Sequence, residues 1–406
     1  MTPEQLDVLT PAQAEAMQAV EQYGSIGKAA KALGRDERGL RRIVKRAKDE
    51  LSKKGFAPGH WNSGTAHGYS MGKVTVHRLA NGNVVQAWER QHPDQEKFDE
   101  FVAATLETVP KYDCPDPPKD RKSDIIPWVQ IGDAHLGMLA HEAETGANFD
   151  LKIAERELCE AISLLIEETG EHDRCVINDL GDFTHYENMK GETEASGHRL
   201  DYDGRFPKMI SVYKRVMDFI VERALEKFNK VDVIINQGNH SRTNDIWMRH
   251  YIEGRYGHTG RVTALDNSNV FIAYRMGKTL VMTHHSDKCK PDKLANVMAE
   301  DYSQDWGETE YRYIDIGHIH HKMTSKEHPG VMIESFNILA NRDLYAHDNG
   351  YRSRQSITVI DRSRQYGEVA RRILPIQRVR DRIHENCKKK GVKAPPATHR
   401  RRAYAA

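Results

Sequence analysis

The sequence predicts an α/β protein whose main body is a sheet-on-sheet core with helices outside, preceded by a small all-α unit. Three observations carry that prediction. From residue 123 onward, short apolar runs alternate with helix-period segments and then give way to runs that are mostly strand-like. Five of those runs end in residues with oxygen or imidazole donors: Asp133/His135, Asp182, Asn239/His240, His284/His285 and His318/His320. Before residue 56 the pattern is instead three short helices punctuated by glycine.

A chain of 406 residues can hold one large α/β domain plus smaller attachments. The pattern divides it into 1–55 (helical unit), 56–122 (hairpin and linker), 123–375 (main body) and 376–406 (basic tail). The net charge of +1 hides an uneven distribution. Residues 24–55 hold 11 Lys/Arg against 4 Asp/Glu, and residues 376–406 hold 10 against 2, so the body between them is acidic. Basic ends on an acidic body suggest a polyanionic partner met by the ends; for 376–406 alone the expectation is a disordered tail. Five scattered cysteines without a C-x-x-C pair argue against a disulfide framework and for a reducing compartment. The N-terminus shows no signal-peptide pattern, and no apolar run approaches membrane-spanning length. A cytoplasmic protein is expected.

Thr10-Pro11-Ala12-Gln13 is a capping box with proline at the first helical position, opening a helix to about Tyr23. Ser25 caps a second helix that Gly34 ends, and Asp36 caps a third. Leu40, Ile43, Val44, Ala47 and Leu51 recur at helical spacing along the third, while Arg38, Arg41, Arg42 and Lys45 fall largely off that stripe. These features describe a helix-turn-helix unit, and the run Gly24–Gly34, with its Ala29-Ala30 and Leu33-Gly34, resembles the DNA-binding ends of Fis-type bacterial regulators. That resemblance implies DNA contact by Arg38, Arg41, Arg42 and Lys45. The plainer alternative is a trihelical cap that packs on the body or dimerises it. Next, Lys73–Leu79 and Val84–Trp88 flank Asn81-Gly82 as a β-hairpin, a short helix is expected near Glu96–Leu106, and Pro110–Lys122 reads as a linker. His60, Trp61 and His67 fit no pattern.

In the body, strands are expected at Trp128–Ile131, Val176–Leu180, Val231–Ile235, Asn269–Tyr274, Leu280–Thr283, Tyr313–Ile316, Val331–Phe336 and Ser356–Ile360. Helices are expected around Leu151–Leu165 and Met209–Ala224. In an open sheet, groups at carboxyl strand ends converge on one crevice. There, mixed carboxylate, amide and imidazole donors suit divalent ions.

The motifs Asp-x-His (133–135), Gly-Asp (181–182), Gly-Asn-His (238–240), a strand-terminal His (284) and Gly-His-x-His (317–320) occur in that order. The stretch from Ser123 to about Ile357 thereby resembles the calcineurin-like metallophosphoesterases. The resemblance implies two divalent ions, with Mn expected and Fe, Zn or Ni as alternatives. One would be held by Asp133, His135, Asp182 and His320, the other by Asp182, Asn239, His284 and His318. His284 is preferred to His285, because His285 occupies the place where that family usually has glycine. Hydrolysis would proceed by a metal-bridging hydroxide, with His240 as general acid.

Gly181-Asp182-Phe183-Thr184-His185 further resembles the Gly-Asp-x-x-His of the double-strand-break-repair nucleases of that family, implying that His185 positions a nucleic-acid strand. One departure stands out: the acidic residue that commonly follows Gly-Asn-His is Ser241 here. Arg242, Lys288 and Arg205 are candidate phosphate holders, Arg352 a further one, and the polar stretch from Asn188 to Arg205 reads as a substrate-covering loop. The whole resembles a bacteriophage or prophage member of the family joined to a helix-turn-helix unit. The expectation is a phosphodiesterase acting on DNA. The alternatives are a phosphatase or small-nucleotide phosphodiesterase whose helices only localise or dimerise it, and a regulatory DNA-binding protein; a homo-oligomer is compatible with each.

Overall fold

In the computed structural model, the described residues are 1, 3–53, 69–78, 84–93, 107–119, 121–193, 197, 199–324, 330–393 and 395. The chain divides into two compact units, Met1–Thr108 and Val109–Ala406.

In the first unit the capping chemistry read from the sequence is in place. Helices Pro3–Asp7 (α1), Pro11–Tyr23 (α2), Ile26–Ala32 (α3) and Glu37–Lys53 (α4) follow one another. Gln13 Oε1 accepts the Thr10 N–H at 2.9 Å, Ser25 Oγ accepts that of Lys28, and Asp36 Oδ2 accepts that of Gly39. Gly24 and Gly34 adopt left-handed backbone that glycine enters without a Cβ penalty. Ala16, Ala19, Ala29, Ala30, Leu40 and Val44 form the core of the α2–α4 cluster. Tyr69–Arg78 (β1) and Val84–Pro93 (β2) pair antiparallel, as expected of a hairpin. Its turn, the helix expected near Glu96–Leu106, and His60, Trp61 and His67 lie outside the described residues.

The second unit contains two mixed sheets. The first orders its strands β13-β12-β3-β4-β5-β6, with Ile125–Ile131 (β3), Arg174–Asp179 (β4), Lys230–Ile235 (β5) and Val262–Ala264 (β6) parallel. Ser356–Ser363 (β12) and Gly367–Pro375 (β13) close one edge antiparallel. The second orders β10-β11-β9-β8-β7, with Thr279–His284 (β8), Tyr311–Ile316 (β9) and Met332–Ser335 (β11) parallel. Ile272–Met276 (β7) and Met323–Thr324 (β10) form its antiparallel edges.

Strand periodicity sends alternate side chains to opposite faces. Ile126, Trp128, Val176, Leu180 and Ile234 thus meet Ile272, Met276, Val281 and Phe336 between the sheets. Val129, Ile131, Cys175, Ile177, Val231 and Val233 face outward, packing on helices Leu151–Glu168 and Phe206–Leu225. Leu280, Met282, Ile314 and Ile316 pack on helix Pro291–Asp301. The result is the helix-flanked, sheet-on-sheet core that the sequence predicts.

A polar ladder crosses the inter-sheet core. Arg362 donates twice to Asp315 at 2.8 Å, Gln130 Nε2 donates to Asp315 at 2.7 Å, and Asn178 Nδ2 donates to Gln130 at 2.7 Å. The Arg362 guanidinium lies over the rings of Trp128 and Tyr313. A buried charge survives only when it is paired and hydrogen-bonded, and this one is both.

Two expectations need correction. Residues 376–389 are not disordered: Ile376–Lys389 is a helix whose Ile376, Val379 and Ile383 are buried against Leu151–Glu168. Its arginines pair with that helix's acids, Arg378 with Glu168, Arg380 with Glu157 at 2.6 Å, and Arg382 with Glu167 at 3.1 Å. Internal pairing leaves these three little charge for a polymer. Pro110–Lys122 also departs from a free linker. Lys111 Nζ donates to Gly254 O, Tyr112 packs on Tyr256, and Arg261 donates to Pro115 O at 2.7 Å.

Candidate metal centre

Strands β3, β4, β5, β8 and β9 each end in a loop on one side of the sandwich, and the loops converge. Asp133, His135 and His320 form one group of possible ligands, and Asp182, His285 and His318 another; within each group the donor atoms lie within 4.8 Å of one another. His135 also joins His185 and His240. His320 Nε2 is 3.0 Å from Asp133 Oδ2 and 3.2 Å from His135 Nε2, while His135 Nδ1 is 3.2 Å from His185 Nδ1. In the second group His285 Nε2 is 3.1 Å from Asp182 Oδ2 and 3.2 Å from Asn239 Oδ1.

Backbone bonds fix the loops. His240 N–H donates to Asp182 Oδ1 at 2.7 Å, and His318 N–H donates to the Asp133 carboxylate at 3.1 Å. The loops approach so closely that a Cβ on Gly238 would overlap Asp182. Side chains that do carry a Cβ are held in left-handed backbone at His135, Asp182, His318 and His320, with φ of 45°, 54°, 66° and 60°. Such conformations cost about 1–3 kcal/mol each and persist where surrounding structure imposes them, commonly at functional sites.

The expected His284 does not join the cluster; its neighbour His285 does. Strand parity explains the correction. His284 continues the outward face of Leu280 and Met282, stacks on Phe271 at 4.6 Å, and accepts the Ser286 N–H on Nδ1. His285 continues the inward face of Val281 and Thr283, and its Nδ1 lies 2.8 Å from Leu180 O. Donation there leaves Nε2 as the atom presented to the cluster.

The electrostatics follow from burial and mutual contact. Burial holds His135 well below the ordinary histidine range, and burial with His240 nearby takes His185 down to about 3, so both are neutral near pH 7. Burial opposes charge on His285 too, but Asp182 outweighs it and takes the imidazole up to about 10. Asp133 likewise raises His320 against burial. Buried His185 Nε2 has no hydrogen-bond partner among the described residues; Asp182 Oδ2, despite its closeness to His285, has none in hydrogen-bond geometry either. Converging carboxylate oxygens and neutral imidazole nitrogens, some without hydrogen-bond partners, make a donor set that divalent cations would complete.

Ser241, where an acid was expected, is buried and donates to Asp245 Oδ2 at 2.6 Å. Asp245 also accepts the Gly238 N–H at 2.9 Å and the Tyr213 hydroxyl at 3.2 Å. The carboxylate thus arrives one helical turn later, from helix Arg242–Tyr256, and clamps the Gly238-Asn239-His240 turn. The four-residue spacing from Ser241 to Asp245 on a helix was the available signal.

His240 Nδ1 lies 3.0 Å from His185 O, and its ring stacks on His185 with centroids 5.4 Å apart. Arg242 is half-buried and lies 3.4 Å from Asp287. Lys288 and Arg205 are exposed, and among the described residues neither side chain hydrogen-bonds or pairs with the clustered residues. Arg38, Arg41, Arg42 and Lys45 are exposed along α4, Arg41 pairing with Glu37 at 3.0 Å. Within the polar loop, Leu139 N–H donates to Asp201 O and Asp203 N–H to Gly137 O, tying it to the segment that follows His135.

Fold and site together define a mixed α/β protein with a partly buried Asp/His/Asn cluster at its strand ends, from which His318 reaches the surface. No family model and no curated protein matches the chain. Among solved structures it is similar to a conserved uncharacterised protein of Streptococcus pneumoniae described as a predicted phosphoesterase (10% identity, 63% of this chain, 99% of that one, TM-score 0.26). It is also similar to zinc-complexed Vps29 of Entamoeba histolytica (12% identity, 62% and 99%, TM-score 0.27) and to a dimetal phosphatase of Danio rerio (9% identity, 64% and 100%, TM-score 0.31). Likenesses this distant carry no argument about chemistry. The observed architecture is that of two mixed sheets packed face to face and flanked by helices.

Proposed function

We propose that the second unit is a metal-dependent phosphodiesterase, with DNA as substrate and the first unit, acting as a helix-turn-helix, as its DNA holder. The observation that carries this reading is the meeting of Asp133, His135 and His320 with Asp182, His285 and His318 at one end of the sandwich. Asp182 is tied to both groups: its carboxylate lies against His285 and accepts the His240 N–H, and its backbone oxygen accepts the His135 N–H. Two divalent ions, held by these residues with Asn239, would supply Lewis-acid stabilisation of a phosphoryl group and ease deprotonation of water. Mn is the first metal to try, with Fe, Zn and Ni as alternatives.

The chain's own groups do the rest. His240, oriented through Nδ1 by His185 O, keeps Nε2 for proton donation to a leaving oxygen. Arg242 stands at the rim as a phosphate contact. Exposed Arg38, Arg41, Arg42 and Lys45 supply attraction for the polymer.

Turnover of single- and double-stranded DNA, bis-p-nitrophenyl phosphate and p-nitrophenyl phosphate by the reconstituted protein is the test. Cleavage of DNA and the diester is expected, with DNA cleavage alone impaired by joint replacement of the four α4 cations by alanine. Inert DNA beside a fast monoester would establish the phosphatase alternative instead.

A further inference from the structure

The geometry points to a nucleotide subsite on residues 341–352, where Asn341, Arg342 and Arg352 take a phosphate and Tyr345 and Tyr351 take the base. The inference rests on the phosphodiesterase reading for its place in function, and on its own observations for its chemistry. The segment leaves β11 beside the metal loops. A Cβ on Gly132 would come within 3.0 Å of Asn337 O, and Asn337 Oδ1 accepts the N–H of Lys322, two residues beyond His320. From there the chain reaches the short helix Leu344–Asp348, which packs near Glu142–Thr145, the helix that follows the Asp133–His135 loop.

Asn341 is 6% exposed, and its Nδ2 is a buried donor with no acceptor among the described residues. A buried, unsatisfied amide is unfavourable, and a ligand oxygen would satisfy it. Arg342 is half-buried and has no carboxylate within 4 Å and no hydrogen bond among the described residues. Burial, and then the nearby Arg352, disfavour its charge, and among the described residues Arg352 donates only to the backbone oxygens of His347 and Tyr351. The nearest acid in sequence, Asp343, is engaged by the Ala346 N–H. Two neighbouring cations, neither paired with a carboxylate among the described residues, and the amide donor next in sequence form a phosphate receptor. Beside them Tyr345 and Tyr351 are 54% and 59% exposed, with centroids 6.3 Å apart and planes inclined by 52°, so neither ring covers the other. Exposed aromatics beside arginines are the pairing that single-stranded nucleic acid uses, base on ring and phosphate on guanidinium.

Binding of inorganic phosphate, thymidine, thymidine 5′-monophosphate and a phosphorothioate octathymidylate to the full-length, metal-loaded protein tests this by titration calorimetry. Replacing both arginines (R342Q with R352Q) should weaken the monophosphate and the octamer at least about tenfold. Replacing both tyrosines (Y345A with Y351A) should weaken them about tenfold while leaving inorganic phosphate unchanged, and the Tyr→Phe pair should restore binding. An octamer tighter than the monophosphate marks a strand as the natural ligand; equal affinities mark a free nucleotide. Affinities within twofold of the unaltered protein in both double variants overturn the subsite, as does an equal loss for every probe. Diester turnover by the unaltered protein separates the two readings. If it proceeds while the variants bind normally, the subsite alone fails; if it is absent while the variants lose nucleotide, the phosphodiesterase reading alone fails.

Discussion

At the residue scale, adjacent histidines at the end of β8 have opposite fates. His285→Ala should lower metal affinity about 10–100-fold, read by elemental analysis after dialysis at limiting metal, whereas His284→Ala should keep the metal and instead lose packing against Phe271. Equal metal loss in both would remove the parity argument. The protonation states make a second prediction. His285, raised to about 10 by Asp182, is protonated at neutral pH in the metal-free protein. Its folded pKa lies above the unfolded value, so this pair stabilises the metal-free chain below about pH 6.5 and ceases to do so as pH rises through 10. A cation must displace that proton. Metal uptake at pH 7 should therefore release at least one proton, measured by calorimetry in buffers of different ionisation enthalpy, and should weaken as pH falls. Asp133, His135, Asp182, His318 and His320 were legible because each follows an apolar run that can only be a strand. His285 was not, because the family pattern at that point outweighed the alternation that Val281, Thr283 and His285 display. Asp245 was hidden by distance in sequence, closing onto Gly238 only once the helix between them forms.

At the element scale, the C-terminal helix escaped the sequence reading because Ile376, Val379 and Ile383 are scattered among arginines and lysines. Those charges look like a solvated tail until the acidic face of Leu151–Glu168 is placed beside them. β13 went unassigned for a related reason: Glu368, Arg371 and Arg372 break its apolar pattern, yet Arg371 pairs with Glu334 of the other sheet and Arg372 with Asp361 of neighbouring β12. Not all of these pairs weigh equally. Arg380 and Glu157 are almost fully buried, so Arg380→Ala should cost about 3–5 kcal/mol in urea denaturation, while Arg378→Ala, at an exposed pair, should cost under about 1 kcal/mol. A joint Arg380→Leu, Glu157→Leu replacement should recover most of the loss. Failure of Arg380→Ala to destabilise would mean that the helix contributes little to the fold.

For the whole molecule, charge is sorted between the two units. The first displays exposed arginines and lysines along α4, of which Arg41 pairs with Glu37, whereas the second neutralises many of its own in buried or half-buried pairs, as in Arg174–Asp232, Arg362–Asp315 and Arg380–Glu157. Duplex affinity should consequently fall steeply with salt, and removing Arg38, Arg41, Arg42 and Lys45 one at a time should each reduce the slope of log affinity against log salt by about 1, measured by fluorescence anisotropy. An unchanged slope would assign α4 to packing or dimerisation. The sheet-on-sheet body was legible in outline because eight apolar runs with turn signals leave few other arrangements. The short edge strands β6 and β10 were not, since three and two residues are too few to announce a strand.

The left-handed backbone at His135, Asp182, His318 and His320 sets foldability against chemistry at the same four positions. Glycine or asparagine would fold there with less strain, and glycine would bring no donor to a cation. A randomised library of this chain screened only for surviving heat, in chelator and without any substrate, should drift toward those two residues at these positions. The enriched codons would then map the centre through the inactivity of the winners.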